Sequence, residues 1–71
     1  MKKGSPLLSP REKQVWYFLA QGKTNREIAW ALQISVGTVK TYIHRLYFKL
    51  GVSSRAEAAR IFGEVVNPRR T

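Results

Sequence analysis

One face of a predicted helix carries four polar side chains, Lys40, Thr41, His44 and Arg45, at spacings of one, three and four residues. Residues at these spacings lie together on a helix surface. Lysine can donate to O6 and N7 of guanine, a threonine methyl can touch the methyl of thymine, and histidine can donate or accept. The pattern therefore predicts base contacts by Lys40, Thr41 and His44, with Arg45 and Lys49 placed more laterally, toward phosphates.

Simpler interpretations of the same side chains stay open at this point. The basic residues Lys40, Arg45 and Lys49 could form an ordinary solvated face, His44 could be surface decoration, and Thr41 could be a spacer. The charge pattern argues against an ordinary solvated face, because no Asp or Glu lies between Glu27 and Glu57. A basic face without acids favours contact with a polyanion.

The overall charge points the same way. The chain of 71 residues has 13 Lys and Arg against 4 acids, all Glu, for a net charge of +9. Its pI near 10.7 is typical of proteins that bind nucleic acid. We therefore predict double-stranded DNA as the partner.

Several other classes are disfavoured by composition. The sequence has no cysteine and one histidine, His44, which excludes disulfides and disfavours a structural zinc site. No nucleophile with a base, carboxylate pair or complete phosphate-binding glycine loop is evident. We predict that the chain is not an enzyme and needs no metal or other cofactor.

The sequence also carries no sign of a membrane segment. No apolar run approaches the roughly 20 residues needed to span a bilayer. Gly4, Ser5 and Pro6 interrupt the stretch after the basic start, where a signal peptide would continue with apolar residues. We expect a cytoplasmic protein that does not contact membranes.

Three segments have the pattern of a capping box, in which a Ser or Thr precedes Glu by three residues. They begin at Ser9, Thr24 and Ser54. In each, the hydroxyl accepts from the Glu amide, and the carboxylate accepts from the amide of the cap residue. The pattern predicts helix starts after these positions, and Ser35 is a further predicted cap.

Apolar spacing completes an all-α prediction with helices over residues 10–21, 25–32, 36–50 and 55–65. We expect a basic arm over 1–7, a domain over 8–66 and a basic tail over 67–71. The helices over 25–32 and 36–50 are joined by the tight turn Gln33-Ile34, which indicates a helix-turn-helix. The predicted inward residues of the four helices are Val15, Trp16, Leu19, Ala20, Ile28, Ala29, Leu32, Val36, Val39, Ile43, Leu46, Tyr47, Leu50, Ala58, Ala59 and Phe62.

The starts of the two middle helices form predicted phosphate sites, because free backbone amides and the helix dipole attract anions there. We expect Thr24, Asn25 and Arg26 at one start and Thr38 at the other to contact phosphates. Gly37 would permit close approach, unless it is merely tolerated. Trp30 and Phe48 fall where polar residues are expected, and two explanations stay open: cover by the chain's own arms or contact with another protein.

Five motifs together resemble the LuxR-type DNA-binding domain, also called the GerE or NarL/FixJ type. They are LSPRE from Leu8, GKTNREIA from Gly22, ISVGTVKTYI from Ile34, KLGV from Lys49 and SRAEA from Ser54. The resemblance covers about residues 7–65. Their number and order make it highly specific.

The resemblance implies a four-helix domain that binds DNA as a homodimer through its last helix, where we expect Arg60, Ile61 and Glu64 to make the contact. It implies base readout by Lys40, Thr41 and His44, and phosphate contacts by Thr24, Asn25, Thr38, Arg45 and Lys49. Gln33, Trp30 and Phe48 depart from the family pattern, and His44 is uncommon, so the target sequence does not follow from the family.

A second class of function remains open from the sequence. The segment from Ser35 to Lys40, followed by His44 and Arg45, also looks like sigma-factor region 4, which would act mainly through RNA polymerase. The continuation from Lys49 through SRAEA favours the LuxR-type reading. Most family members carry this domain as the output end of a longer regulator, and the initial Met favours a stand-alone protein here.

Overall fold

A computed structural model of the chain describes residues 8–66 and forms four helices over them. The helices are α1 (Pro10–Ala20), α2 (Asn25–Leu32), α3 (Val36–Leu50) and α4 (Arg55–Val66). This confirms the all-α prediction, and each predicted helix end lies within one residue of the observed one. The predicted arm over 1–7 and tail over 67–71 lie outside the described residues.

The first two helices begin with the predicted capping boxes. The Ser9 hydroxyl accepts from the Glu12 amide at 3.1 Å, and the Glu12 carboxylate accepts from the Ser9 amide at 2.9 Å. Thr24 and Glu27 repeat the arrangement at 3.1 and 2.8 Å. Each pair satisfies amides that a helix start would otherwise leave without partners.

The third predicted capping box is only half formed. The Ser54 hydroxyl accepts from the Glu57 amide at 3.1 Å, as expected. The Glu57 carboxylate, however, accepts from the backbone amide of Ser53 at 3.0 Å, one residue further back than predicted. The Ser53 hydroxyl is also within 3.4 Å of this carboxylate. Ser53 therefore offers it two donors.

A buried tryptophan joins the last helix to the first. Trp16 Nε1 donates to the carbonyl oxygen of Ala58 at 2.8 Å, and its ring meets the edge of Phe62 at 5.1 Å between centroids. The hydrogen bond satisfies the indole donor inside the core. The core consists of Val15, Trp16, Leu19, Ile28, Ala29, Val39, Ile43, Leu46 and Ala58. Ala20 and Leu32, predicted inward, are half-buried.

The turn between α2 and α3 is held in a left-handed conformation. Gln33 has φ 61°, which costs up to about 1 kcal/mol relative to glycine. The next amide, of Ile34, donates to the carbonyl of Ala29 at 3.0 Å, and the half-buried Ile34 packs against the core. These contacts fix the angle at which α3 leaves α2. The Ser35 hydroxyl then caps α3 by accepting from the Thr38 amide at 3.0 Å.

Candidate nucleic-acid interface

The predicted base-contacting side chains lie on the exposed side of α3. Its opposite side is formed by Val39, Ile43 and Leu46, which are buried. Successive residues of a helix are rotated by about 100°. With these three residues facing the core, residues 40, 41, 44 and 45 face away from it. Lys40, Thr41, His44 and Arg45 are all exposed, and the structure brings them together on one face.

The methyl group of Thr41 is available to a ligand, whereas its hydroxyl hydrogen is not. Its Oγ1 donates to the carbonyl oxygen of Gly37 at 3.2 Å, one turn earlier in α3. The hydroxyl hydrogen is therefore used within the helix. The oxygen lone pairs and the methyl group remain for a ligand, and a methyl group is the part that can recognise thymine.

The start of α2 lies beside this face. Lys40 and His44 line one shallow groove with Asn25 and Arg55, and Ile43 and Tyr47 form its apolar part. Two predicted base contacts and one predicted phosphate contact thus share a concave surface. Asn25, on α2, is at the position where the free amides of a helix start attract an anion.

Arg55 positions the start of α2, a role that the sequence did not predict. One guanidinium nitrogen donates to Asn25 Oδ1 at 3.0 Å, and the other donates to the carbonyl oxygen of Lys23. The side-chain oxygen of Asn25 is therefore occupied, so its NH₂ group is left for a phosphate. A signal existed in the sequence, because an arginine in the first turn opposes the helix dipole and needs a specific partner.

Arg26 lies on a different side of α2 from Asn25. It lines a second groove together with Lys23, Trp30 and Phe18. Trp30 is 82 % exposed there. The structure therefore does not group Arg26 with Lys40 and His44. Its predicted phosphate contact would use the outer flank of α2.

The hydroxyls of Thr24 and Thr38 lie at the starts of α2 and α3 and have different partners there. Thr24 Oγ1 accepts from the Glu27 amide at 3.1 Å, and Thr38 Oγ1 lies 2.9 Å from Ser35 Oγ. Both residues are exposed. The Thr24 oxygen that accepts the backbone hydrogen bond still has its own hydrogen to donate to a phosphate. The Thr38 hydroxyl has a hydrogen for a phosphate when Ser35 is the donor of the hydrogen bond that the two hydroxyls share.

Lys49 makes an internal ion pair. Its Nζ lies 2.8 Å from Glu12 Oε1, and the Glu12 side chain is only 3 % exposed against 26 % for Lys49. The pKa of Glu12 is lowered below its ordinary value, mainly by the hydrogen bond from Lys49 and next by the hydrogen bond from the Ser9 amide. Burial acts in the opposite direction and raises this pKa. The phosphate contact expected of Lys49 stays a prediction, and this pair argues against it.

Two of the three side chains of α4 that are predicted to contact a second copy, Arg60 and Glu64, lie on its outer face. Arg60 Nη1 lies 2.7 Å from Glu64 Oε2, and both side chains are 62 % exposed. Ile61 is half-buried and packs against the chain's own core. Arg60 and Glu64 are therefore the more accessible part of the predicted contact.

Two other kinds of site are absent from residues 8–66. No three His, Cys, Asp or Glu side chains come together there in a way that could hold a metal ion. Within the same residues, no helix is long and apolar enough to cross a bilayer.

Comparison with known proteins decides the family. Residues 6–62 match the GerE family, described as "Bacterial regulatory proteins, luxR family". The chain belongs to the luxR family. Its match is to the helix-turn-helix DNA-binding domain of these transcriptional regulators, which confirms the resemblance inferred from the five motifs.

Individual luxR-family relatives differ in how much of them the chain covers. It is 46 % identical over 52 residues to the putative HTH-type transcriptional regulator YhjB of Escherichia coli, covering 73 % of this chain and 26 % of that protein. It is 48 % identical over 54 residues to the probable transcriptional regulatory protein NarL of Mycobacterium tuberculosis, covering 76 % and 25 %. The spore germination protein GerE of Bacillus subtilis is 47 % identical over 53 residues, covering 75 % and 72 %. The chain thus spans about a quarter of YhjB and NarL.

Proposed function

We propose that the chain is a sequence-specific regulator of transcription that inserts α3 into the major groove of double-stranded DNA in the bacterial cytoplasm. The observation that carries the proposal is the exposed, acid-free face of α3, opposite the buried Val39, Ile43 and Leu46. In a helix-turn-helix the second helix presents such a face to base edges. Lys40, Thr41 and His44 are the proposed base contacts.

Phosphate contacts on either side would fix the orientation of α3. We assign them to Thr24, Asn25 and Arg26 at the start of α2, to Thr38 at the start of α3, and to Arg45 beside the base-contacting residues. Asn25 is supported by its place in the groove with Lys40 and His44. Contacts of this kind set the register of a protein on the duplex without reading sequence.

We further propose that the protein binds an inverted repeat as a homodimer, with the outer face of α4 as the contact. The support is the exposed pair Arg60 and Glu64. In a two-fold dimer the same patch meets itself, so Arg60 of one protomer can reach Glu64 of the other. Two copies of α3 would then enter successive major grooves on one side of the duplex.

A second candidate, a sigma region 4-like module that acts through RNA polymerase, is favoured by one observation. Trp30 is 82 % exposed on the flank of α2, beside a groove that Phe18 also lines. Tryptophan is enriched at protein interfaces. The groove beside Trp30 shares no lining residue with the groove of Lys40 and His44, so protein contact and DNA binding would use different residues.

In vitro selection from random duplex DNA at about physiological salt tests the proposal with the purified chain alone. We expect a two-fold symmetric motif with half-sites roughly one helical turn, about 10 base pairs, apart. Binding without enrichment of any motif would overturn sequence-specific recognition. Enrichment that requires added RNA polymerase would favour the second candidate.

A further inference from the structure

Phe48 is the most exposed large apolar side chain among residues 8–65, with 85 % of its surface accessible. A single exposed phenylalanine is common on protein surfaces and by itself indicates nothing. Its place on α3 makes this one informative. The neighbouring residues Leu46 and Tyr47 hold this part of α3 against the core. The helix itself therefore directs the side chain of Phe48 outward.

The helix geometry puts Phe48 in line with the proposed base contacts. At about 100° per residue, Phe48 is turned only about 20° from Thr41 and about 40° from His44. It lies one to two turns further along the same stripe. The buried side of α3, formed by Val39, Ile43 and Leu46, is on the opposite side of the helix. Phe48 therefore extends the stripe toward the C-terminal end of α3.

The chemistry of a benzene ring limits what Phe48 can recognise there. It offers no hydrogen bond and no charge to a phosphate or to a polar base edge. The floor of the major groove presents one apolar group, the C5 methyl of thymine, and phenylalanine is among the side chains that contact it.

We propose that Phe48 is a specificity-determining residue that packs on the C5 methyl of one thymine in each half-site. This inference rests on the proposed function. Along α3, seven residues at about 1.5 Å each separate Phe48 from Thr41 by about 10 Å. This length corresponds to at most about three base-pair steps of 3.4 Å, because a helix in the major groove is inclined to the duplex axis. The thymine read by Phe48 should therefore lie no more than about three base pairs from the base pair that Thr41 contacts.

Replacement of thymine by deoxyuridine tests the inference, because it removes only the methyl group. The operator comes from in vitro selection with the unaltered chain, and each thymine is then replaced in turn while affinity is measured by fluorescence anisotropy. At one thymine per half-site we expect about fourfold weaker binding, the effect of losing one buried methyl group. Phe48→Ala should bind the thymine and uracil forms of that site equally, while other thymines keep their effects.

Trp30→Ala is the matched control, because it removes a similarly exposed aromatic side chain from α2. At every thymine, replacement by deoxyuridine should change the affinity of Trp30→Ala as it changes that of the unaltered chain. Thermal melting of both variants checks that they remain folded, which their exposure leads us to expect.

Two results would overturn the role of Phe48 while leaving the proposed function standing. One is that Phe48→Ala still binds more weakly at every position where replacement of thymine by deoxyuridine weakens the unaltered chain. The other is an equal loss of affinity for all duplexes, which would indicate contact with the sugar-phosphate backbone. Selection that yields no motif with the unaltered chain would instead overturn the proposed function, and the role of Phe48 with it.

Discussion

At the scale of single residues, the ion pair of Lys49 with Glu12 shows how α3 is tied to the first helix. Glu12 caps α1 and is buried, yet it keeps a charge because Lys49 and the Ser9 amide both donate to it. A buried carboxylate without such donors would be costly. One basic residue of α3 is therefore used by the fold, and the others remain on the outer face.

Lys49→Ala should destabilise the protein, because it leaves the buried Glu12 carboxylate with fewer donors. We expect the free energy of unfolding to fall by about 1–3 kcal/mol, the cost of losing a charged hydrogen bond at a buried group. Urea denaturation measures this, and Lys13→Ala, at an exposed position of α1, is the control. The salt dependence of DNA binding should stay unchanged. A slope lowered by about 1 would make Lys49 a phosphate contact after all.

The lowered pKa of Glu12 gives stability a dependence on pH. A carboxyl whose pKa is lower in the folded state stabilises that state above its unfolded value, near 4.5. The contribution disappears as pH falls through 4.5 toward the folded value. Glu27 adds to the same trend, because the Thr24 amide lowers its pKa too. In denaturation between pH 7 and 3, we expect Glu12→Gln to lose stability less steeply than the unaltered chain. Equal slopes would show that Glu12 does not couple to folding.

At the scale of the elements, the start of α3 contains a glycine that the fold does not need. A Cβ added at Gly37 would meet only Ser35 Oγ at 3.8 Å, an ordinary contact. Alanine is favoured over glycine in a helix by up to about 1 kcal/mol. Packing inside the domain therefore does not require the glycine. The proposed approach of a DNA strand to the first turn of α3 would explain it.

Gly37→Ala should accordingly stabilise the fold and weaken DNA binding. We expect a higher melting temperature together with lower affinity for a single half-site, because the added methyl lies between the helix start and the phosphates. Gly63→Ala is the control, since a Cβ at that position of α4 meets nothing within 4 Å. It should raise the melting temperature without changing half-site affinity. Undiminished affinity of Gly37→Ala would show that this glycine is merely tolerated.

The helix starts could be predicted from the sequence because capping is local. Ser9 with Glu12, and Thr24 with Glu27, are three residues apart, and each side chain accepts from the backbone amide of the other residue. Both amides lack a partner within the helix only at its start. Ser53 shows the limit, because two neighbouring serines compete for Glu57 and the sequence pattern cannot rank them. The exposed face of α3 was predictable for the same local reason, since 3.6-residue periodicity separates its buried and polar sides.

Contacts between distant residues were not predictable in this way. Lys49 and Glu12 are 37 residues apart, and Arg55 is 30 residues from Asn25. Whether a basic side chain of the interface is turned to solvent or held inside depends on how the helices cross. The sequence therefore indicated which side chains could face DNA, and the packing of α1 against α3 leaves Lys49 half-buried beside Glu12.

At the scale of the whole molecule, α4 has two sides with different tasks. Its inner side is held to α1 by the hydrogen bond from Trp16 to Ala58 and by the contact of Trp16 with Phe62. Its outer side carries Arg60 and Glu64. Because the inner contact is buried and specific, the outer face has a fixed position relative to α3, as a dimer on two half-sites requires.

Arg60→Glu should weaken dimer formation, because two like charges then face each other across the two-fold axis as well as within α4. The cost within the helix is a few tenths of a kcal/mol, so the fold should persist. We expect a larger dimer dissociation constant by analytical ultracentrifugation and lost cooperativity between half-sites. The exchange Arg60→Glu with Glu64→Arg restores both charge pairs and should restore dimerisation. Unchanged association of the single variant would place the dimer contact elsewhere.

The central claim, that α3 reads base sequence through its exposed face, is tested most directly by Lys40→Ala. Its affinity should be measured by fluorescence anisotropy on the selected operator, on all single-base variants of it and on unrelated duplex, with Lys13→Ala as the control. We predict a loss of about 1–3 kcal/mol on the operator and relaxed preference at one base pair of each half-site. An equal loss on every duplex, with all base preferences intact, would contradict the claim.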